Sequence, residues 1–237
     1  MKKINILHLY PNEMNIYGDR GNLLTLMRRI EWHGFEPVVH FHHAKNTLPK
    51  NIDIVLGGGG QDSAQSDIQD DILMIGDELH KLADAGVPML MICGMYQLFC
   101  HKFITNTGEE IKGIGIFDAE TRASSQRMVG NLKVNSEFGI LYGFENHSGR
   151  TFLNQGQNAL GKVLRGNGNN GQDGTEGAQT NNVFGAYLHG PMLPNNPRFT
   201  DGLIATAASN LFGEFKLKPI SDHYAYAARE TAKKRKY

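Results

Sequence analysis

The chain has 237 residues, 40% of them hydrophobic, with 24 basic and 24 acidic side chains. That content supports a sizeable core, and a net charge of zero offers no chain-wide attraction to nucleic acid. Two cysteines, no secretory leader and no apolar run near the ~20 residues of a membrane span argue for a reducing, cytoplasmic setting and against membrane insertion.

The alternation of apolar residues predicts a first strand over residues 4–10. Leu23, Leu24, Leu26, Met27 and Ile30, at helical spacing, predict a helix over 22–32. Strands follow over 38–41 and 52–56. Ile68, Ile72, Ile75, Leu79 and Leu82 form one stripe, which predicts a helix over 67–85 that starts at Ser66 as N-cap and stops at Gly86 before Pro88. The apolar run from Met89 to Ile92 is a buried parallel strand leading into Cys93 and Gly94, after which Tyr96 to Phe99 open a helix. This order reads as an α/β fold, a mainly parallel sheet flanked by helices that collects ligands at the C-terminal ends of its strands.

The second half changes character. Short runs at 114–117, 132–134 and 140–142 predict strands of a more antiparallel section. The Gly/Asn-rich stretch 166–177 cannot form a core and reads as a loop, more simply a surface loop than a lid. A strand over 183–189 ends in His189, helices over 199–212 and 222–234 follow, and the basic run 233–236 is a solvated terminus. No repeat or linker divides the chain, so 1–237 is expected to be a single domain.

Cys93 is the candidate nucleophile. A thiol at a strand-to-helix elbow sits among exposed backbone N–H groups that favour thiolate and can accept a developing oxyanion. Inert burial as a small hydrophobe is the alternative, and Cys100 fits it better. With a regular helix between them the two Cα atoms lie roughly 10 Å apart, beyond disulfide reach. Of the ten histidines, His40, His42 and His43 lack a companion metal-ligand pattern and read as surface residues. His189 ends a strand and is stopped by Gly190 and Pro191, so a parallel sheet can bring it to Cys93. The turn from Leu56 to Gln61 is not a dinucleotide fingerprint, but its bare backbone at Gly58 and Gly59, with the amide of Gly94, can build an oxyanion hole.

Taken together, the segment 15–22 after the first strand, the glycines 57–60, the elbow 92–97, the block 143–151 (Gly-Phe-Glu-Asn-His-Ser-Gly-Arg-Thr) and 185–191 (Gly-Ala-Tyr-Leu-His-Gly-Pro) resemble class I glutamine amidotransferases of the cobyric acid synthase type. Within them the chain is most similar to the branch of glutaminase subunits that serve lipid II amidation. The resemblance implies Cys93 as nucleophile, His189 as its base and Arg127 as the grip on the carboxylate of L-glutamine, with Arg122 and Arg150 as rivals. It implies no metal and no cofactor on this chain. Its partner would be a Mur-ligase-like synthetase subunit in a heterodimer, carrying ATP and Mg and reaching the lipid-linked substrate to amidate the α-carboxyl of D-glutamate. Amidation of corrinoid side chains, or a regulatory subunit with a decayed site, are the alternatives. One departure stands out: many class I enzymes place a glutamate two residues after the histidine, and Pro191 cannot serve. Either Cys93 and His189 work as a dyad or the orienting carboxylate comes from elsewhere, and the expectation is the second, with the synthetase partner as its source.

Overall fold

The computed structural model describes residues 1–213 and 215–233. In chain order the elements are β1 (Lys3–Leu9), α1 (Arg20–Trp32), β2 (Glu36–His42), β3 (Ile54–Gly57), α2 (Asp62–Met74), α3 (Gly76–Asp84), β4 (Met89–Ile92), α4 (Gly94–Phe99), β5 (Lys102–Ile104) and β6 (Glu110–Lys112). There follow β7 (Ala119–Ser136), β8 (Gly139–Leu153), β9 (Gly161–Arg165), β10 (Thr175–Glu176), β11 (Ala178–Thr180), β12 (Val183–Ala186), α5 (Met192–Asn195), α6 (Pro197–Phe212) and α7 (His223–Lys233).

Two six-stranded sheets result. The first has the order β11-β12-β4-β3-β1-β2, parallel throughout except for β11 at its edge. Its central strands are apolar on both faces: every residue of β3, β4 and β12 is buried, as a parallel sheet covered by helices requires. Because β12, β4, β3 and β1 are neighbours pointing the same way, their C-terminal ends form one edge. The second sheet is built around the long antiparallel hairpin of β7 and β8, which absorbs the runs at 132–134 and 140–142. A small bridge joins the sheets where it matters. Phe144 of β8 exchanges two backbone hydrogen bonds with His189, at 3.0 and 2.9 Å, so the hairpin holds the chain just beyond β12.

Three expectations need correction. The helix over 67–85 is two helices broken at Ile75 and Gly76, and Ser66 lies inside the first rather than capping it. Residues 114–117 are not a strand; Gly115 takes a positive φ of 70° and the chain bends so that Ile116 and Phe117 enter the core. The stretch 166–177 is a loop over 166–174 and exposed at 171–174, as expected, but it is anchored inward and 175–176 form β10. Asn169 and Asn170 are buried in it, and Asn169 bonds the Gly177 N–H and carbonyl, each at 2.9 Å, so side-chain amides supply the partners that a sheet ladder would have given. Of the basic run 233–236, residues 234–236 lie outside the described residues. No helix among the described residues is long and apolar enough to cross a membrane.

Candidate active site

β4 delivers Cys93 to the shared strand edge in a strained conformation. Its φ of 50° and ψ of −103° are ones that side chains rarely adopt, and such strain persists only where surrounding structure enforces it. The enforcement is visible. The Cys93 N–H donates to the Ala186 carbonyl at 2.8 Å, tying the elbow to the strand that carries His189, while its carbonyl accepts from the Gln97 N–H at 2.9 Å to begin α4. Cys93 retains 5% exposure and lies in the wall of a cavity of about 550 Å³ that also touches Tyr17, Gly60, Arg127, Asn146 and His147.

His189 is fully buried beside it. Its Nδ1 lies 3.4 Å from the Asp19 carboxylate, and the Tyr17 ring meets the imidazole edge-on at 5.0 Å. Burial, the largest influence, would drive the ring neutral. The Cys93 sulfur and the Asp19 carboxylate outweigh it and push the imidazole pKa up to about 10. The Cys93 sulfur is therefore near enough to act on the His189 charge, and the two side chains are placed as a nucleophile and its proton carrier. The thiol, the imidazole and the carboxylate thus stand in one chain.

Asp19 corrects the expectation that the orienting acid belongs to the synthetase. The segment after β1 folds back over the glycine turn, with the Ile16 N–H donating to Gly59 at 3.1 Å, and this delivers Asp19 to the imidazole. Its other oxygen accepts the Gly59 N–H at 2.6 Å. Gly59 is therefore not a free oxyanion donor as expected. A Cβ there would lie 2.8 Å from His189 Cε1, so glycine is required by the close approach of the ring. Gly58 does not border the Cys93 cavity; its carbonyl accepts from the Met95 N–H at 3.3 Å, and a Cβ there would meet the Met14 carbonyl. Gly60, which the sequence reading passed over, borders the cavity instead, and its amide nitrogen lies 2.9 Å from where a Cβ on Gly94 would stand.

Arg127 projects where β7 and β8 lose register between Ala123 and Met128. Its guanidinium is oriented by the Asn146 side chain, by the Asn146 carbonyl at 3.1 Å and by the Tyr17 hydroxyl at 3.0 Å, and it borders the same cavity as Cys93. Neither rival borders that cavity. Arg122 is exposed and lies 3.6 Å from Glu120, outside the cavity wall, and Arg150 donates to the Gln126 carbonyl at 3.0 Å. His42 is not a surface residue: it is buried against Asp71, its Nε2 at 2.8 Å. No cluster of potential metal ligands occurs among the described residues.

Asp19, Gly60, Tyr17 and His147 were not singled out as site residues from the sequence. Asp19 lies in the segment 15–22 that supported the resemblance, but no role was attached to it there. His147 lies in the block 143–151 that supported the resemblance, without a role attached to it.

A parallel sheet with a cysteine elbow and a histidine on adjacent strand ends is the architecture of a class I glutamine amidotransferase. Residues 5–197 match the model of the CobB/CobQ-like glutamine amidotransferase domain, and the chain belongs to that family. It is 38% identical over 216 residues to the lipid II isoglutaminyl synthase (glutamine-hydrolyzing) subunit GatD of Streptococcus pneumoniae, covering 90% of this chain and 83% of that one. It is 35% identical to the GatD subunit of Staphylococcus aureus over 232 residues, 97% of this chain and 95% of its relative. Among solved structures, PurLQS from Thermotoga maritima has a similar fold, with a TM-score of 0.61 at 16% identity, covering 86% of this chain and 98% of that one.

Proposed function

We propose that this glutamine amidotransferase hydrolyses L-glutamine through a Cys93 thioester and delivers the ammonia to a Mur-ligase-like synthetase subunit. The observation that carries the chemistry is the strained Cys93 elbow beside a His189 ring that is itself backed by Asp19. Arg127 grips the substrate carboxylate with its planar fork, which orients the side-chain amide toward the sulfur. The thiolate attacks the amide carbon, forming the C–S bond. The oxyanion is received by the amides of Gly94 and Gly60. His189, as imidazolium, gives its proton to the nitrogen as the C–N bond breaks and ammonia leaves. The neutral ring then takes a proton from water, whose oxygen attacks the thioester; collapse breaks the C–S bond, restores thiolate and imidazolium, and releases glutamate.

Similarity to GatD over nearly the full length of both chains favours lipid II as the destination of the ammonia, with ATP and Mg bound by the partner, the α-carboxyl of D-glutamate as acceptor and D-isoglutamine as product. The Asp19 contact at 3.4 Å is longer than the ~2.7–2.9 Å of a charge-assisted hydrogen bond. Docking of the synthetase that shortens it raises the rate, so glutaminase activity is low in the isolated chain and higher in the complex. Glutamate release measured with and without the synthetase checks this, and equal rates refute the partner dependence.

A further inference from the structure

The turn that delivers Asp19 to His189 sets a tyrosine beside it in a conformation that tyrosine rarely adopts. The Asp19 N–H donates to the Ile16 carbonyl at 3.2 Å, closing a turn whose two central residues, Tyr17 and Gly18, have φ of 54° and 80°. Glycine, asparagine and aspartate suit such positions, and a bulky side chain there is an outlier. Strain of this kind persists only where the surroundings enforce it, and it gathers at ligand clamps and active sites. Here Gly59 enforces it from both sides. Its carbonyl accepts the Ile16 N–H at 3.1 Å, and its own N–H donates to the Asp19 carboxylate at 2.6 Å.

The strain is not offset by burying the ring. Tyr17 is 43% exposed, and it lies in the wall of the Cys93 cavity together with Arg127. Its ring stands at 74° to the His189 imidazole with centroids 5.0 Å apart, and its hydroxyl oxygen accepts from Arg127 Nη2 at 3.0 Å. A phenol oxygen that accepts from a guanidinium keeps its own hydrogen, and no acceptor for that hydrogen occurs among the described residues. Both partners of the bond are exposed, so a solute in the cavity meets the O–H and the guanidinium side by side.

We infer that Tyr17 is a substrate-binding residue, the second half of the carboxylate site, whose O–H donates to the carboxylate of glutamine that the Arg127 fork grips. This rests on the glutaminase reading and on Arg127 as that grip. A carboxylate offers two oxygens and about four lone-pair sites, enough for the fork and the phenol together. The arrangement also links the two ends of the substrate. One turn sets Tyr17 at the carboxylate and, two residues on, Asp19 at His189, so a short piece of backbone fixes the carboxylate site relative to the acid–base pair. An amide without a carboxylate has nothing to offer the phenol, and the site discriminates against it.

The test uses the complex with the synthetase and two amides, L-glutamine and 4-aminobutanamide, which is glutamine without its carboxylate. Tyr17→Phe keeps the ring beside His189 and loses only the O–H. It is expected to raise KM for glutamine by ~10-fold, the scale of one hydrogen bond to a charged group, with kcat within ~3-fold of wild type and kcat/KM for 4-aminobutanamide unchanged. Tyr17→Asn suits the positive φ, so the full chain is expected to melt at or above the wild-type temperature while KM for glutamine rises at least as far. An unchanged KM for glutamine in Tyr17→Phe overturns the inference, and so does a parallel loss on both amides. A Tyr17→Asn chain that melts below wild type with KM unmoved marks a packing residue and overturns it as well. Cys93→Ala is the control: persistence of either hydrolysis in it refutes the glutaminase reading itself and not merely the role of Tyr17.

Discussion

The two cysteines stand at opposite ends of the six-residue α4, and the same element makes one reactive and the other inert. Cys100 is fully buried, donates its thiol to the Tyr96 carbonyl at 3.3 Å, and is pushed by burial to a pKa far above the usual thiol range. Cys93 is nearly as buried, yet it has a left-handed backbone, a cavity in front of it and an imidazolium behind it. Burial therefore does not separate a nucleophile from a core thiol. What separates them is an enforced turn, a cavity at the sulfur and a neighbouring imidazole that carries charge.

The contrast can be broken most sharply by exchanging the roles. Cys93→Ala is expected to reduce glutamate release by ~10⁵-fold or more, the scale of losing a nucleophile, whereas Cys100→Ala keeps glutaminase activity and loses about 1–2 kcal/mol of stability for the small cavity it leaves. Activity and urea unfolding on both variants decide it, and a comparable loss of activity at Cys100 would end the distinction. The charge on the imidazole is tested next by Asp19→Asn, which keeps the volume and removes the carboxylate. A fall of ~10²–10³-fold in kcat with little change in KM is expected, together with a shift of the pH profile as the imidazolium loses its counter-charge. Arg127→Lys keeps a cation but not the fork, so KM for glutamine should rise by ~10–100-fold while kcat holds. A kcat loss without a KM change would remove Arg127 from the carboxylate site.

The smallest expected effect concerns Glu176, fully buried behind β12 with the Tyr187 N–H on one oxygen at 2.6 Å. Burial raises its pKa to about 8, against the pull of that N–H, so the native state retains a proton that the unfolded chain releases near 4.5. The stability from that proton is complete below pH 4.5 and declines as pH climbs through about 8. Glu176→Gln, which cannot ionise and keeps the oxygen that accepts from Tyr187, should therefore melt a few degrees above wild type at pH 9 and at nearly the same temperature at pH 4. His189 also has a raised pKa, but it titrates in both proteins and cancels from the difference.

Much of the fold was legible because its parallel sheet advertises itself. Strands buried on both faces read as unbroken apolar runs, and each met a glycine, cysteine or histidine where it left the core. Cys93 and His189 could be placed for that reason, since one local pattern fixed each and the parallel order brought them together. Asp19 could not be weighed in the same way, because its role depends on how the segment after β1 folds back over Gly59, a long-range contact with no local signature. The break at Ile75 was hidden by a stripe of apolar residues that continues through both helices. The Gly/Asn stretch was legible as a loop, but its inward anchoring was not. Composition marks backbone that lacks apolar side chains, but buried amides such as Asn169 can satisfy that backbone inside the protein as well as water does outside it.

The most direct measurement is covalent labelling of the wild-type chain with a glutamine-analogue diazoketone, followed by peptide mass spectrometry. Reaction needs a substrate pocket and a thiolate together. Cys93 as nucleophile predicts a single adduct on the peptide carrying Cys93, slowed by excess L-glutamine and absent in Cys93→Ala. An adduct on Cys100, or labelling that glutamine does not slow, would contradict it.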